Sequence, residues 1–165
     1  MIVSDASPLI NLAKAGKLHL LKDLFGKVLI EEEVKLETID RGKDEGAQDA
    51  ELIENALNEG WIVVHRIKNT KIIQGIHQGE SNSILLARKH NCIILIDEED
   101  GREVAKAMGL EVKGTLYILK KSVEKGIISK QESIQALNEM MMDGFRISAR
   151  IYAKFLEGLE IKYHS

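Results

Sequence analysis

The chain has 165 residues, of which 44% are hydrophobic and 30% charged. That length and composition suit one folded domain with a sizeable core, and they exclude a disordered chain. The formal net charge is −3, with 12 Lys and Arg against 18 Asp and Glu in residues 1–100 and 11 against 8 in the remainder, so the acidic front half argues against a simple basic nucleic-acid-binding module.

Ile2-Val3 opens the chain as a short β signal, and Ser7-Pro8 predicts a helix start. Serine suits an N-cap, and proline suits a first turn whose N–H would be unpaired anyway. Leu9, Leu12 and Ala13 then form an apolar stripe that ends near Gly16, and Leu18 to Phe25 reads as a second short amphipathic helix. Val28 to Ile30 is a buried-strand candidate, followed by a helix from Glu31 to about Ile39 and a charged loop from Gly42 to Gly46. Ala47 to Asn58 predicts a helix, and Gly60 separates it from the β-rich Trp61 to Val64. After a stretch without clear periodicity, Gly79-Glu80-Ser81 opens a helix to about His90. Cys92 to Ile96 is continuous, apolar and β-branched, as a strand buried on both faces should be. A helix from about Asp100 to Met108, a short strand at Glu111-Val112, and helices at Thr115–Lys125, 130–142 and 148–157 complete the chain.

Strands alternating with helices predict an α/β fold, a doubly wound parallel sheet of four to five strands flanked by helices, with extra C-terminal helices. We expect an α/β domain over 1–125 and a helical extension over 126–165 packed on the same domain. No apolar run approaches the roughly 20 residues that span a bilayer, and Asp5 falls where a signal peptide needs its apolar segment. A single cysteine, Cys92, excludes an intramolecular disulfide and fits a reducing, cytoplasmic setting, with the thiol packed rather than nucleophilic.

In open α/β sheets, sites form outside the carboxyl ends of the strands. Asp5 follows the first strand and Asp97 the most apolar one. If those strands are neighbours, two carboxylates share one crevice, which is costly unless a cation such as Mg2+ or Mn2+ lies between them. Taken singly, either acid could merely cap the next helix. Glu80, in a first helical turn, is electrostatically favoured there in any case. Glu37 belongs to the acid-rich run from Glu31 to Glu37, most of which should be a solvated face, although its spacing from Val34 could bring it to the rim of the core. In the run Asp97-Glu98-Glu99-Asp100, Asp100 could serve as the N-cap of the next helix. The five histidines (His19, His65, His77, His90, His164) show no ligand spacing and read as surface or packing residues.

At these residues the chain resembles a known family. Ser4-Asp5-Ala6-Ser7-Pro8-Leu9-Ile10, the Val28 to Glu37 segment, Gly79-Glu80-Ser81 with Ala87, and Ile96-Asp97 through Gly101-Arg102 occur in the order seen in PIN-domain proteins. Gly109-Leu110 with Gly114-Thr115, and Gly144-Phe145-Arg146-Ile147-Ser148, resemble a prokaryotic branch related to VapC-type toxins. The resemblance implies a metal-dependent ribonuclease that uses Mg2+ or Mn2+. It assigns Asp5, Glu37, Glu80 and Asp97 to the catalytic acids, with Asp5, Glu80 and Asp97 as metal ligands and Ser7 and Asp100 in support. It further implies an RNA substrate, an antitoxin partner and a homodimer. Glu80 and Glu98 stand where the family and this branch carry aspartate. Arg102 could touch RNA or pair with nearby acids, and Arg146, Arg150 and Lys154 repeat every four residues as a basic stripe on the last helix, which reads first as a solvated face and second as RNA phosphate contacts. The Met140-Met141-Met142 run should fill a core or a dimer contact.

Two other functions compete. One is a PIN fold that holds nucleic acid or protein without cutting. The other is a phospho-acceptor or phosphatase-like α/β domain, which wants adjacent acids or Asp-x-Asp after the first strand, where this chain has Asp5-Ala6-Ser7.

Overall fold

The computed structural model describes residues 1–68 and 72–160; residues 161–165, which include the end of the expected extension and His164, lie outside the described residues. Five strands form one sheet: β1 (Ile2–Ser4), β2 (Val28–Glu31), β3 (Ile62–His65), β4 (Ile93–Leu95) and β5 (Val112–Lys113). They run in the order β3-β2-β1-β4-β5, and every pair is parallel. The chain therefore builds outward from β1 in one direction, returns, and builds outward in the other from β4. That reversal makes the β1–β4 boundary the topological switch point, where a crevice opens beyond the strand ends.

The period-two alternation of each strand divides the apolar side chains into two layers. Ile2, Val28, Ile30, Ile62 and Leu95 face one core, while Val3, Leu29, Ile94 and Ile96 face the other. The first core is covered by α1 (Ala6–Lys14), α2 (His19–Phe25), α5 (Gln48–Glu59), α8 (Thr115–Glu124), α9 (Lys130–Met142) and α10 (Ala149–Glu160). The second lies under α6 (Gln78–His90) and α7 (Glu99–Ala107). Ile118, Leu137, Phe155 and Leu159 bury into the same cluster as Ile2 and Leu9, so the C-terminal helices share the core of the α/β part.

The structure departs from the sequence expectations at several ends. The expected charged loop at 42–46 is mostly helical: α3 (Glu32–Lys35) continues through a π-helical turn, Leu36–Asp40, into α4 (Arg41–Asp44). Thr38 sustains that wide turn by donating its hydroxyl to the Val34 carbonyl at 2.8 Å. Asp5, not Ser7, is the N-cap of α1, and Pro8 sits within the first turn. Glu98, not Asp100, is the N-cap of α7. Arg146 precedes α10, which begins at Ala149, so the stripe expected on the last helix keeps only Arg150 and Lys154. Of the methionine run, Met140 is buried in the core and Met142 is 88% exposed. Among the described residues, no helix is long and apolar enough to cross a membrane.

Candidate active site

β1 and β4 are neighbours in register, Ser4 against Leu95, and the Asp5 N–H donates to the Leu95 carbonyl at 3.0 Å. The chain after β1 and the chain after β4 thus leave the sheet side by side, as the convergence of Asp5 and Asp97 required. Asp5 is 5% exposed and Glu80, in the first turn of α6, is 4% exposed. Both are acids in surroundings that disfavour their charge.

Burial pushes the Asp5 carboxyl up to about 7; the Ala6 amide opposes this, Glu80 and Glu37 add to it, and His77 relieves part of it. Glu80 is also raised, first by burial and then by Glu98, Asp100 and Glu37, against the pull of His77. His77, the N-cap of α6, places Nε2 3.2 Å from Glu80 Oε1. Ser83 donates to the Gly79 carbonyl at 2.9 Å, with its hydroxyl 3.5 Å from Asp5 Oδ1. Glu37 lies on the π turn and is exposed, with Oε2 only 3.8 Å from where a Cβ on Gly79 would stand. Widened turns of this kind recur at functional sites because they re-aim a single side chain.

Two glycines make room for the acids. A Cβ on Gly101 would fall 2.5 Å from Glu80 Oε2, and one on Gly114 would fall 2.8 Å from Asp97 Oδ1. Asp97 is half-buried and differently engaged. Its Oδ1 accepts the Thr115 amide at 2.8 Å, and its Oδ2 accepts the Thr115 hydroxyl at 2.6 Å and the Asn11 amide at 3.4 Å. Burial raises its pKa, while the Thr115 and Asn11 bonds and the nearby Arg102 charge hold it down. Arg102 donates from Nη1 to the Ile96 carbonyl at 2.8 Å, so its guanidinium is tied to the backbone.

The structure therefore brings Asp5, Glu37 and Glu80 into one electrostatic neighbourhood, with Asp97 at the end of the adjacent strand β4. From Asp97 and Ser7 a groove of about 1230 Å3 runs between α1, α7, α8 and the 143–148 segment, lined by Arg102, Lys106, Lys113, Tyr117 and Arg146 among others. Arg150 is exposed outside that lining, and Asp100 is exposed in the first turn of α7.

Sequence reasoning missed two residues. Glu31, in a run read as mostly a solvated face and given no role, is 3% exposed; its Oε2 accepts the Glu33 amide at 2.8 Å and the Asn82 side chain at 3.2 Å, tying β2 to α6. His77 gave no signal because its partner lies one helical turn along, in a motif read for its acid alone.

The donors present, carboxylates with one imidazole, suit a hard divalent ion, and the space that Gly101 leaves against Glu80 keeps an oxygen donor where a methyl group would displace it. Among the described residues no three such groups close into a complete coordination shell.

The family model described as DUF3368, PIN domain, matches residues 1–160. Among solved structures, a PilT N-terminus domain protein from the hyperthermophilic archaeon Sulfolobus solfataricus P2 is similar with a TM-score of 0.57 at 19% identity, covering 75% of this chain and 95% of that one. No curated protein matches the chain significantly. The switch-point acids, the all-parallel sheet and a family match over nearly the whole chain agree, and the chain belongs to the PIN-domain family.

Proposed function

We propose that this PIN domain is a metal-dependent ribonuclease that hydrolyses RNA phosphodiester bonds with Mg2+ or Mn2+. The observation that carries the reading is the burial of two acids, Asp5 after β1 and Glu80 at the start of α6, with Glu80 adding to the cost of charging Asp5, a placement unfavourable for a bare protein and apt for a cation site. Asp5 and Glu80 would hold the ion, with a third donor from the acid run that follows β4. When bound, the ion neutralises phosphate charge and lowers the pKa of a coordinated water. Glu37, exposed at the mouth, is placed to accept the proton of the attacking water as it adds to phosphorus and the ribose oxygen leaves. His77 orients Glu80 through its 3.2 Å contact, and Ser83 lies against Asp5. Arg102 and Arg146 give the groove cations for the RNA backbone, with Ser7 at its near end.

The test is cleavage of a mixed single-stranded and structured RNA pool with Mn2+, Mg2+ or EDTA, comparing wild type with Glu80→Gln. Cleavage that needs the ion and falls at least about a hundredfold in the variant supports the reading. A folded wild type that neither cuts RNA nor binds divalent ions in calorimetry leaves a non-cutting binding module, a reading favoured by the absence of a closed donor shell among the described residues. A toxin role, an antitoxin partner and a homodimer rest on the resemblance to the VapC-related branch. Growth arrest on expression tests the first, and light scattering tests the last.

A further inference from the structure

We propose that Glu31 is a positioning residue whose buried carboxylate holds the π turn that carries Glu37 in place against the start of α6. Its effect on cleavage rests on the nuclease reading; its effect on the position of the turn does not.

Glu31 ends β2, and the period-two alternation that turns Leu29 into the layer under α6 turns Glu31 the same way. A carboxylate only 3% exposed is costly unless its oxygens are hydrogen-bonded. Its contacts reach three segments. Oε2 accepts the Glu33 amide at 2.8 Å, which caps α3, and the Asn82 side chain of α6 at 3.2 Å. Oε1 stands 3.5 Å from the Ile67 amide beyond β3. Asn82 is itself 3% exposed, and among the described residues its Oδ1 meets no partner, so the bond to Glu31 is what its side chain is buried for.

The two helices also touch directly. A Cβ on Gly79 would stand 3.8 Å from both Glu33 Cγ and Glu37 Oε2, so α3 and its π continuation lay one face on the first turn of α6. That contact is open enough to slide, and the Glu31–Asn82 bond fixes where it stops. α6 is held separately on β1, with the Ser83 hydroxyl 3.5 Å from Asp5 Oδ1. Loss of the Glu31 link therefore frees the turn that bears Glu37 and leaves α6 seated on β1.

The experiment compares Glu31→Ala, Glu31→Gln and Asn82→Ala with wild type in RNA cleavage kinetics, Mn2+ affinity by calorimetry and metal-free amide hydrogen exchange. Glutamine can keep an oxygen where Oε2 stands, so Glu31→Gln should stay within about threefold in every reading. Glu31→Ala should lower kcat at least about tenfold, with KM and Mn2+ affinity within about threefold. If Glu31→Ala does not fold, Asn82→Ala carries the test, because it keeps the cap of α3; its kcat should fall at least about fivefold. In Asn82→Ala the amides of α3 and the π turn, on other elements, should exchange at least about fivefold faster, while those of α9 stay unchanged. Alanine variants within about twofold of wild type in kcat would overturn the proposal, as would faster exchange confined to α6. Glu31→Gln as damaging as Glu31→Ala would also overturn it, because the charge of Glu31 rather than its hydrogen bonds would then matter. If wild type cuts no RNA, the nuclease reading falls, and hydrogen exchange alone decides whether Glu31 positions the turn.

Discussion

Asp5 has its carboxylate buried beside Glu80 and Glu37, so it ionises near pH 7 instead of in the ordinary carboxylate range. In the unfolded chain it loses its proton near pH 4. Between those values the folded state binds more protons than the unfolded state, so its contribution to stability falls as pH rises from about 4 to about 7 and is flat above. Three pH units correspond to at most about 4 kcal/mol at this almost fully buried group. Glu80 and Asp97, also raised, act in the same direction. Asp5→Asn should therefore flatten the decline and melt several degrees higher than wild type at pH 8 without metal. Mn2+ should raise the melting temperature of wild type and leave the variant unmoved. Thermal scans at pH 5, 6.5 and 8 check this, and a wild type equally stable at all three would refute it. At this scale the placement of Asp5 and Glu80 was legible, because each follows an element end that local periodicity marks. The environment of Asp97 was not: its partner Thr115 is 18 residues away, and no local pattern shows which hydroxyl meets which carboxylate.

The elements were mostly readable because each strand is a short apolar run and most helices carry an unambiguous stripe. What escaped was decided by packing rather than by local preference. The Glu31 to Glu37 run looked mostly solvated and 42–46 looked like a loop, yet Glu31 is buried, and the chain passes through a π turn that keeps Ile39 inside together with Val34, whose burial was expected. That turn presents Glu37 to the α6 start. The C-terminal helices show the same dependence on tertiary contact. α10 packs on α8, Phe155 is 5% exposed within the main core, and Gly158 lies so close to Lys120 that a Cβ would stand 3.1 Å from its chain. Phe155→Ala should cost about 3 kcal/mol or more by leaving a cavity, lowering a single melting transition by roughly 10 °C. A loss under about 3 °C, or a second transition for residues 126–160, would mean that the extension folds as a separate unit.

For the whole molecule, the charge distribution sets a condition on substrate binding. The chain is net negative, and its acids gather at the switch point where a phosphate would have to lie. The groove beside it answers Arg102, Lys106, Lys113 and Arg146 with Asp97, Glu98, Glu99, Glu103 and Asp143, so its fixed charges do not form a basic track. A polyanion should then bind only when divalent ions have neutralised the acids, and single residues at the far end of the groove should carry a measurable part of the phosphate contact. Arg146 is the test case: it is exposed, lies outside any helix and lines the groove opposite the α7 start. With a cleavage-resistant phosphorothioate single strand, Mn2+ should tighten binding at least about tenfold over EDTA. In Arg146→Ala the affinity should fall several-fold, and the log–log salt slope should become shallower by about 0.7, the value for one lost single-strand phosphate contact. Fluorescence anisotropy over 50–300 mM salt reads both quantities. An unchanged slope would place the strand on another face and leave the groove to a different occupant.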